Sequence, residues 1–286
     1  MADVKKVGVI GSGTMGAGIA QVAAQSGYTV VVYDIREEVV ARALSGIFSR
    51  LERLYEKGKL TSEECQEIKE CFRPTTSLAD MHDCQVVIEA APERLAIKKQ
   101  IFQELDEYCA EDAILTTNTS SFSITEIGSI TKRADRVVGM HFFNPVPLMP
   151  LVEIIRGVQT DEKTISTLVQ LALNLKKHPV LCEDTPGFIV NRVARPFYNE
   201  ALRIKGDAIA SVEQVDRIMK KAGRFKMGPF ELQDLIGIDI NFSTTESVHQ
   251  GFFGEDRFRP HYFQQRMMQA GKLGRKAGGG YYDYEK

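Results

Sequence analysis

The segment KKVGVIGSGTMG, residues 5–16, decides how the first part of the chain folds. Its apolar residues predict a buried strand over 5–10, and the helical run AGIAQVAAQSG follows the glycine-rich turn. A second apolar run, TVVVY, ends at Asp34, 23 residues after Gly11. A strand, a glycine turn, a helix, a second strand and an acidic residue in this order are typical of a dinucleotide-binding βαβ unit.

The turn supplies the groups that such a unit needs. Its six residues are Gly11, Ser12, Gly13, Thr14, Met15 and Gly16. The first glycine permits a tight turn, the second lets the backbone approach a pyrophosphate, and the third allows close packing of helix on strand. The N-terminus of the helix offers N–H groups and a positive dipole end to phosphates. The competing interpretation is a glycine turn without a ligand.

Asp34 predicts NAD rather than NADP as the cofactor. Its carboxylate can accept a hydrogen bond from a ribose 2′-hydroxyl, and its charge would repel a 2′-phosphate. Arg36 follows two residues later and weakens this preference, because an arginine can accommodate that phosphate.

Composition is that of an ordinary globular protein, with 43% apolar and 26% charged residues among 286. The net charge of −2 argues against nucleic acid or an anionic membrane as a partner. The first strand follows the N-terminus directly, which leaves no room for a targeting segment. Five cysteines without metal-ligand spacing favour reduced thiols, so we expect a cytoplasmic protein with no structural metal.

Short apolar runs alternate with helical patterns over about the first 185 residues, which predicts an α/β domain with a mostly parallel sheet. Candidate strands are 5–10, 29–33, 85–89, 113–117, 136–141, 151–155 and 179–183. Candidate helices are 14–26, 37–57, 62–71, 95–109 and 161–176.

A change of pattern follows the turn signal Pro186-Gly187. Beyond it the periodicity is helical, including one long stretch over 230–252. We therefore expect two domains, 1–186 and 187–286, the second all-helical. Its scattered apolar residues indicate that a second subunit covers part of it, as in a homodimer or a larger homo-oligomer.

His141 and Glu153 are the first candidates for chemistry. His141 ends a candidate strand in GMHFFNPVP, and Glu153 interrupts an apolar strand pattern in PLVEII. A buried acid needs a partner, and an imidazole on a neighbouring strand would serve. The alternatives are a structural histidine and a glutamate on an edge strand facing water.

Other polar groups follow at similar places. The run Asn118–Ser121 (NTSS) can hold a hydroxyl or carbonyl oxygen of a substrate, or it can cap a short helix over ITEIG. Asn191 could reach a substrate if two domains close over a cleft. Arg50, Arg53 and Lys57 share one helix face, which either is solvated or contacts a phosphorylated substrate.

Taken together, these segments resemble the 3-hydroxyacyl-CoA dehydrogenase family over essentially the whole chain, most nearly its bacterial 3-hydroxybutyryl-CoA members. The most specific motifs are HFFNPVPLMPLVEII and DTPGFIVNR, supported by VIEAAPE, TNTSS, MGPFELQDLIG and GRKAGGGYYDY. The resemblance implies a Rossmann-like NAD-binding domain and an all-helical C-terminal domain for substrate binding and dimerisation.

The resemblance also implies roles for individual residues. The catalytic residues are His141, Glu153, Ser120 and Asn191. The cofactor contacts are Gly11 to Gly16, Asp34, Glu93, Lys98, Ser120, Asn144 and Lys276. The substrate contacts are Ser120 and Asn191, with Lys57 and Arg50 for coenzyme A.

The expected reaction is the reversible NAD-dependent interconversion of an (S)-3-hydroxyacyl-CoA, such as 3-hydroxybutyryl-CoA, and a 3-ketoacyl-CoA. Two alternatives stay open. One is a sugar-acid or other hydroxy-acid dehydrogenase on the same fold, and the other is a non-catalytic NAD-binding protein.

Overall fold

The structure, a computed structural model, describes residues 4–284. The strands are β1 Lys6–Ile10, β2 Thr29–Tyr33, β3 Phe72–Thr75, β4 Val86–Glu89, β5 Ile114–Thr117, β6 Val137–Phe142, β7 Leu151–Arg156 and β8 His178–Glu183. The α-helices are α1 Thr14–Gln25, α2 Glu37–Glu56, α3 Ser62–Glu70, α4 Leu95–Tyr108, α5 Ile124–Gly128, α6 Glu162–Asn174, α7 Val190–Gly206, α8 Val212–Lys221, α9 Pro229–Ile236, α10 Ile238–Gly251 and α11 Tyr262–Gln269.

The chain divides between Asp184 and Thr185 into two compact units. The first contains one eight-stranded sheet in the order β3-β2-β1-β4-β5-β6-β7-β8. Its strands are parallel except where β6 meets β7. The predicted α/β domain with a mostly parallel sheet is therefore confirmed.

The order in which successive strands are added to the sheet reverses at β1. Strands β2 and β3 lie on one side of it and β4 to β8 on the other, so ligands are expected at the carboxyl ends of β1 and β4. Gly11 sits at that point with φ +89°. A Cβ on Gly16 would lie only 1.7 Å from the carbonyl oxygen of Gly11, so a side chain there would displace α1 from the turn.

Two features of the sheet differ from the sequence prediction or go beyond it. Strand β3 was not predicted, since its sequence FRPT contains a proline; it lies at the sheet edge, where a missing N–H is tolerated. Strand β7 runs antiparallel to β6 after a short connection, and β8 is parallel to β7. The other seven strands agree with the prediction to within one residue at each end.

The second unit is built from α7 to α11, as expected for a helical domain. The expected continuous helix over 230–252 is wrong, because Gly237 with φ +104° separates α9 from α10. Within the described part of this unit, pairing outside the helices consists of isolated bridges between Gly274, Gly279 and Asp283.

Two buried carboxylates fasten the last described segment to these helices. Asp234 accepts hydrogen bonds from the backbone N–H groups of Tyr281 and Tyr282, both at 3.0 Å, and from the Tyr284 hydroxyl. Asp216 accepts from the Tyr282 hydroxyl at 2.8 Å. Burial raises the pKa of both carboxyl groups.

We predict that Asp234→Ala lowers the free energy of unfolding by about 1–3 kcal/mol, because it leaves two partly buried N–H donors without an acceptor. Chemical denaturation monitored by circular dichroism measures the change. The exposed Asp207 provides the control, since Asp207→Ala should shift stability by less than about 0.5 kcal/mol. Equal effects of the two substitutions would contradict this role for Asp234.

Candidate active site

The glycine turn leaves room for an anionic ligand. Within the described chain no side chain caps α1, whose N-cap is Gly13, so the first-turn N–H groups can point at phosphate oxygens. A Cβ built on Gly13 would meet nothing within 4 Å, whereas Gly11 and Gly16 are closely packed. Thr14 is exposed and Met15 partly buried beside this space. The residues present fit a dinucleotide pyrophosphate.

Asp34 lies directly against this turn. Its Oδ2 accepts from the backbone N–H and the hydroxyl of Ser12, both at 2.9 Å, and its Oδ1 accepts from the N–H of Ile35. A carboxylate has about four acceptor positions, so capacity for a ribose hydroxyl remains. Arg36 is exposed and contacts Glu38 at 3.6 Å.

His141 and Glu153 are direct partners across the β6–β7 pairing. Nδ1 of His141 lies 2.8 Å from Oε2 of Glu153, and the two residues are 6% and 1% exposed. The contact exists because the antiparallel register places the end of β6 beside the middle of β7. Glu153 is thus a buried partner of the imidazole and does not face water.

Asn118 connects the turn after β5 to the end of β6. Its Oδ1 accepts from the backbone N–H of Phe142 at 2.8 Å, and its own N–H donates to the carbonyl of Glu89 at 2.7 Å. Capping of α5 is done by Ser123, which accepts from the N–H of Glu126. The NTSS run is therefore not needed as the cap of that helix.

A fully buried ion pair lies at the carboxyl end of β4. The ammonium of Lys98 is 2.8 Å and 3.0 Å from the two carboxylate oxygens of Glu89. Glu89 also accepts from the Thr117 hydroxyl and the N–H of Ala91. This pair joins the ends of β4 and β5 to the start of α4.

Glu93 connects the ion pair to the turn that contains Ser120. Its Oε2 is 3.1 Å from Nζ of Lys98. Its Oε1 accepts from the Thr119 and Ser121 hydroxyls and from the N–H of Ser120 at 3.1 Å. Burial alone would raise the pKa of Glu93, but Lys98 and the hydroxyl donors outweigh it and keep the pKa below its usual value.

The remaining predicted residues lie at separate places. In the first unit, Asn144 is exposed in the connection after β6, and Nε of Arg50 donates to Gln21 at 2.7 Å. Lys57 is exposed at the C-terminal end of α2. In the second unit, Asn191 lies in the first turn of α7, and the Lys276 ammonium contacts Asp239 at 2.6 Å.

Sequence reasoning did not single out Glu89 or the acceptor role of Asn118. The sequence does contain a signal for Glu89, since the apolar strand VVIE ends in a carboxylate residue. The signal for Asn118 was weaker, because its partner Phe142 is 24 residues away.

The described residues show no metal-binding cluster, no disulfide and no membrane-spanning helix. Across residues 4–284 no group of three or more His, Cys, Asp or Glu side chains could hold a metal ion. All five cysteines are free. None of the described helices has the length and apolar character required to cross a membrane.

Comparison with known proteins gives two family matches. Residues 6–185 match the family described as 3-hydroxyacyl-CoA dehydrogenase, NAD binding domain, and residues 187–284 match its C-terminal domain. The first match confirms NAD as the cofactor.

Individual relatives match over almost the whole chain. The 3-hydroxyadipyl-CoA dehydrogenase of Escherichia coli (strain K12) is 48% identical over 99% of this chain, which spans 60% of that protein. The 3-hydroxybutyryl-CoA dehydrogenase of Clostridioides difficile is 43% identical over 98% of this chain and 100% of its own length. A crystal structure of (S)-3-hydroxybutyryl-CoA dehydrogenase from Ralstonia eutropha superimposes with a TM-score of 0.96 at 40% identity, covering 99% and 100% of the two chains.

These matches span both units and include relatives that are covered over their full length. The chain belongs to the 3-hydroxyacyl-CoA dehydrogenase family.

Proposed function

We propose that this protein catalyses the reversible NAD-dependent interconversion of an (S)-3-hydroxyacyl-CoA and a 3-ketoacyl-CoA. The observation that carries the proposal is the buried His141–Glu153 contact in the unit that contains the dinucleotide-binding turn. A positioned imidazole can accept the hydroxyl proton of an alcohol whose carbon gives up a hydride to a nicotinamide.

His141 is the proposed general base and acid. Because Nδ1 faces the Glu153 carboxylate, the ring proton belongs on Nδ1, and Nε2 carries the lone pair. In oxidation Nε2 accepts the proton of the 3-hydroxyl group. In reduction the protonated ring returns a proton to the C3 oxygen. Glu153 fixes the ring orientation and places a negative charge 2.8 Å from Nδ1 when the ring is protonated.

Ser120 is the proposed donor to the reacting oxygen of the substrate, and Glu93 shapes the turn that presents it. Three groups of residues 119–121 donate to one oxygen of Glu93, and the Lys98 ammonium holds the other. Glu93 and Lys98 therefore act on the cofactor site largely through the backbone they organise. Asn191 is proposed as a second substrate contact on the family resemblance.

NAD, when bound, supplies the hydride acceptor, and NADH supplies the hydride donor. The residues proposed to hold it are the turn Gly11–Gly16, Asp34, Ser120, Asn144 and Lys276, with Glu93 and Lys98 acting largely through the backbone around Ser120. The first-turn N–H groups of α1, which no side chain of the described residues caps, would bind the pyrophosphate, and Asp34 would select the unphosphorylated ribose.

For the coenzyme A portion we propose Lys57 and Arg50 as contacts. The exposed Lys57 is the better supported, since Nε of Arg50 is already engaged by Gln21. The relatives are named for two acyl groups, 3-hydroxyadipyl and 3-hydroxybutyryl. We propose the shorter one as substrate, because relatives matched over their full length carry that name.

We also propose roles for the two units and a setting for the enzyme. The first unit is the NAD-binding domain, to which Lys276 of the second unit adds a contact, and the second unit binds substrate and forms a homodimer. Exposed apolar residues of the second unit, such as Val193 and Phe253, support the dimer, and light scattering showing only monomer would contradict it. Five free thiols favour a reducing compartment such as the cytoplasm, which cell fractionation would test.

Steady-state reduction of acetoacetyl-CoA with NADH tests the proposed reaction. We expect turnover with acetoacetyl-CoA and little with the free acid acetoacetate. A preference for the free acid would favour a hydroxy-acid dehydrogenase. Tight NADH binding without turnover on acetoacetyl-CoA, longer 3-ketoacyl-CoAs or 3-ketoadipyl-CoA would favour a non-catalytic protein.

We predict that His141→Ala lowers kcat about 10²–10⁴-fold, because the general acid–base group is removed. NADH should still bind, as fluorescence titration would show. The exposed His82 provides the control, and His82→Ala should leave kcat unchanged. Near-normal turnover of His141→Ala would refute the role.

We predict that Asp34→Ala lowers the preference for NADH over NADPH about tenfold, since the charge that repels a 2′-phosphate is lost. The ratio of kcat/KM for the two cofactors measures the effect, with the exposed Asp112→Ala as control. An unchanged ratio would exclude Asp34 as the selecting residue.

A further inference from the structure

Lys177 is a buried cation outside the site described so far. It immediately precedes β8 and is 6% exposed. Its ammonium donates to the carbonyl oxygens of Val146 at 2.5 Å and Met149 at 2.9 Å. Among residues 4–284, the contacts described for this ammonium are to carbonyl groups and not to a carboxylate. Burying a lysine on neutral acceptors is costly, so an apolar residue would serve mere packing better.

Both acceptors belong to the connection between β6 and β7, residues 143–150, which we call the 143–150 loop. The N–H groups of Leu148 and Met149 donate to the carbonyl of Pro145, which forms a compact turn. The N–H of His178, next to Lys177, donates to the carbonyl of Pro150 at 2.7 Å. Lys177 and its neighbour thus hold three carbonyl groups of this loop.

The opposite side of the loop packs on the dinucleotide-binding helix. Val146 is 2% exposed, and a Cβ on Gly18 of α1 would lie 2.9 Å from Cβ of Val146. The loop is therefore held between α1 and the Lys177 ammonium. Asn144, a proposed NAD contact, lies two residues before Val146.

We propose that Lys177 is a positioning residue of the NAD site, which fixes the 143–150 loop against α1 and thereby places Asn144. The proposal rests on the proposed function of Asn144. It follows that loss of the ammonium loosens the loop without removing any group that touches substrate. The main consequence falls on cofactor affinity, because His141 stays anchored by Glu153 within the β6–β7 pairing.

The test compares Lys177→Met with Lys177→Arg in the 286-residue chain. Methionine keeps the length of the side chain and loses its donors, whereas arginine keeps the charge and the donors. We expect Lys177→Met to raise the dissociation constant and the KM of NADH about tenfold, with kcat at saturating NADH changed less than about threefold. Lys177→Arg should recover most of the affinity. Amide hydrogen exchange should accelerate in the 143–150 loop of Lys177→Met.

Lys163→Met, an exposed lysine on α6, is the control and should bind NADH normally. A lower melting temperature of Lys177→Met with unchanged NADH affinity would mean a structural role only and would overturn the proposal. If Lys177→Met does not fold, Val146→Ala serves as the test, since it removes the packing of the 143–150 loop on α1. Unchanged NADH affinity of Val146→Ala would also overturn the proposal. NADH titration needs no acyl-CoA, so failure of the proposed reaction would be seen separately.

Discussion

The antiparallel pairing of β6 with β7 is the constraint on which the proposed chemistry depends. Every other neighbouring pair in the sheet is parallel, so functional groups elsewhere gather only from turns at the carboxyl ends of strands. The reversal brings the middle of β7 opposite the end of β6, and Glu153 thereby faces His141 in register. A carboxylate from the interior of a strand is held by a ladder of backbone hydrogen bonds, so its position is more precise than a loop could provide.

The turns around this pair are organised by buried charge. Glu89 and Lys98 are both almost completely inaccessible to solvent, and such a pair stabilises a fold only when its remaining hydrogen-bonding capacity is satisfied. Here the Thr117 hydroxyl and the N–H of Ala91 also donate hydrogen bonds to the Glu89 carboxylate. The Lys98 ammonium makes a further contact with the Glu93 carboxylate. The cost of desolvation is offset by a network that joins three chain segments. Its rigidity is transmitted to the turn that contains Ser120, because Glu93 belongs to both.

Most of the fold could be predicted from the sequence because buried parallel strands are continuous apolar runs and their helices have clear periodicity. The antiparallel direction of β7 relative to β6 could not be predicted, since its sequence LVEIIR has the same apolar pattern in a parallel or an antiparallel strand. Strand β3 was hidden by Pro74, which only an edge position tolerates. The contact between His141 and Glu153 could be anticipated, because a glutamate in an apolar run demands a partner. The contacts of Glu93 and Lys177 could not, because both reach loops that are distant in sequence.

Helix α1 links these features through its own packing. Its N-terminal N–H groups have no side-chain cap within the described residues, so a bound phosphate would complete the helix as well as bind to it. Its first turn is fixed to β1 at Gly11 and Gly16, and its next turn meets the 143–150 loop at Gly18 and Val146. A displacement of the helix would therefore move both the N–H groups proposed to bind phosphate and the loop that follows His141. Close packing on small residues makes this coupling stiff, because neither side has a flexible side chain to absorb the movement.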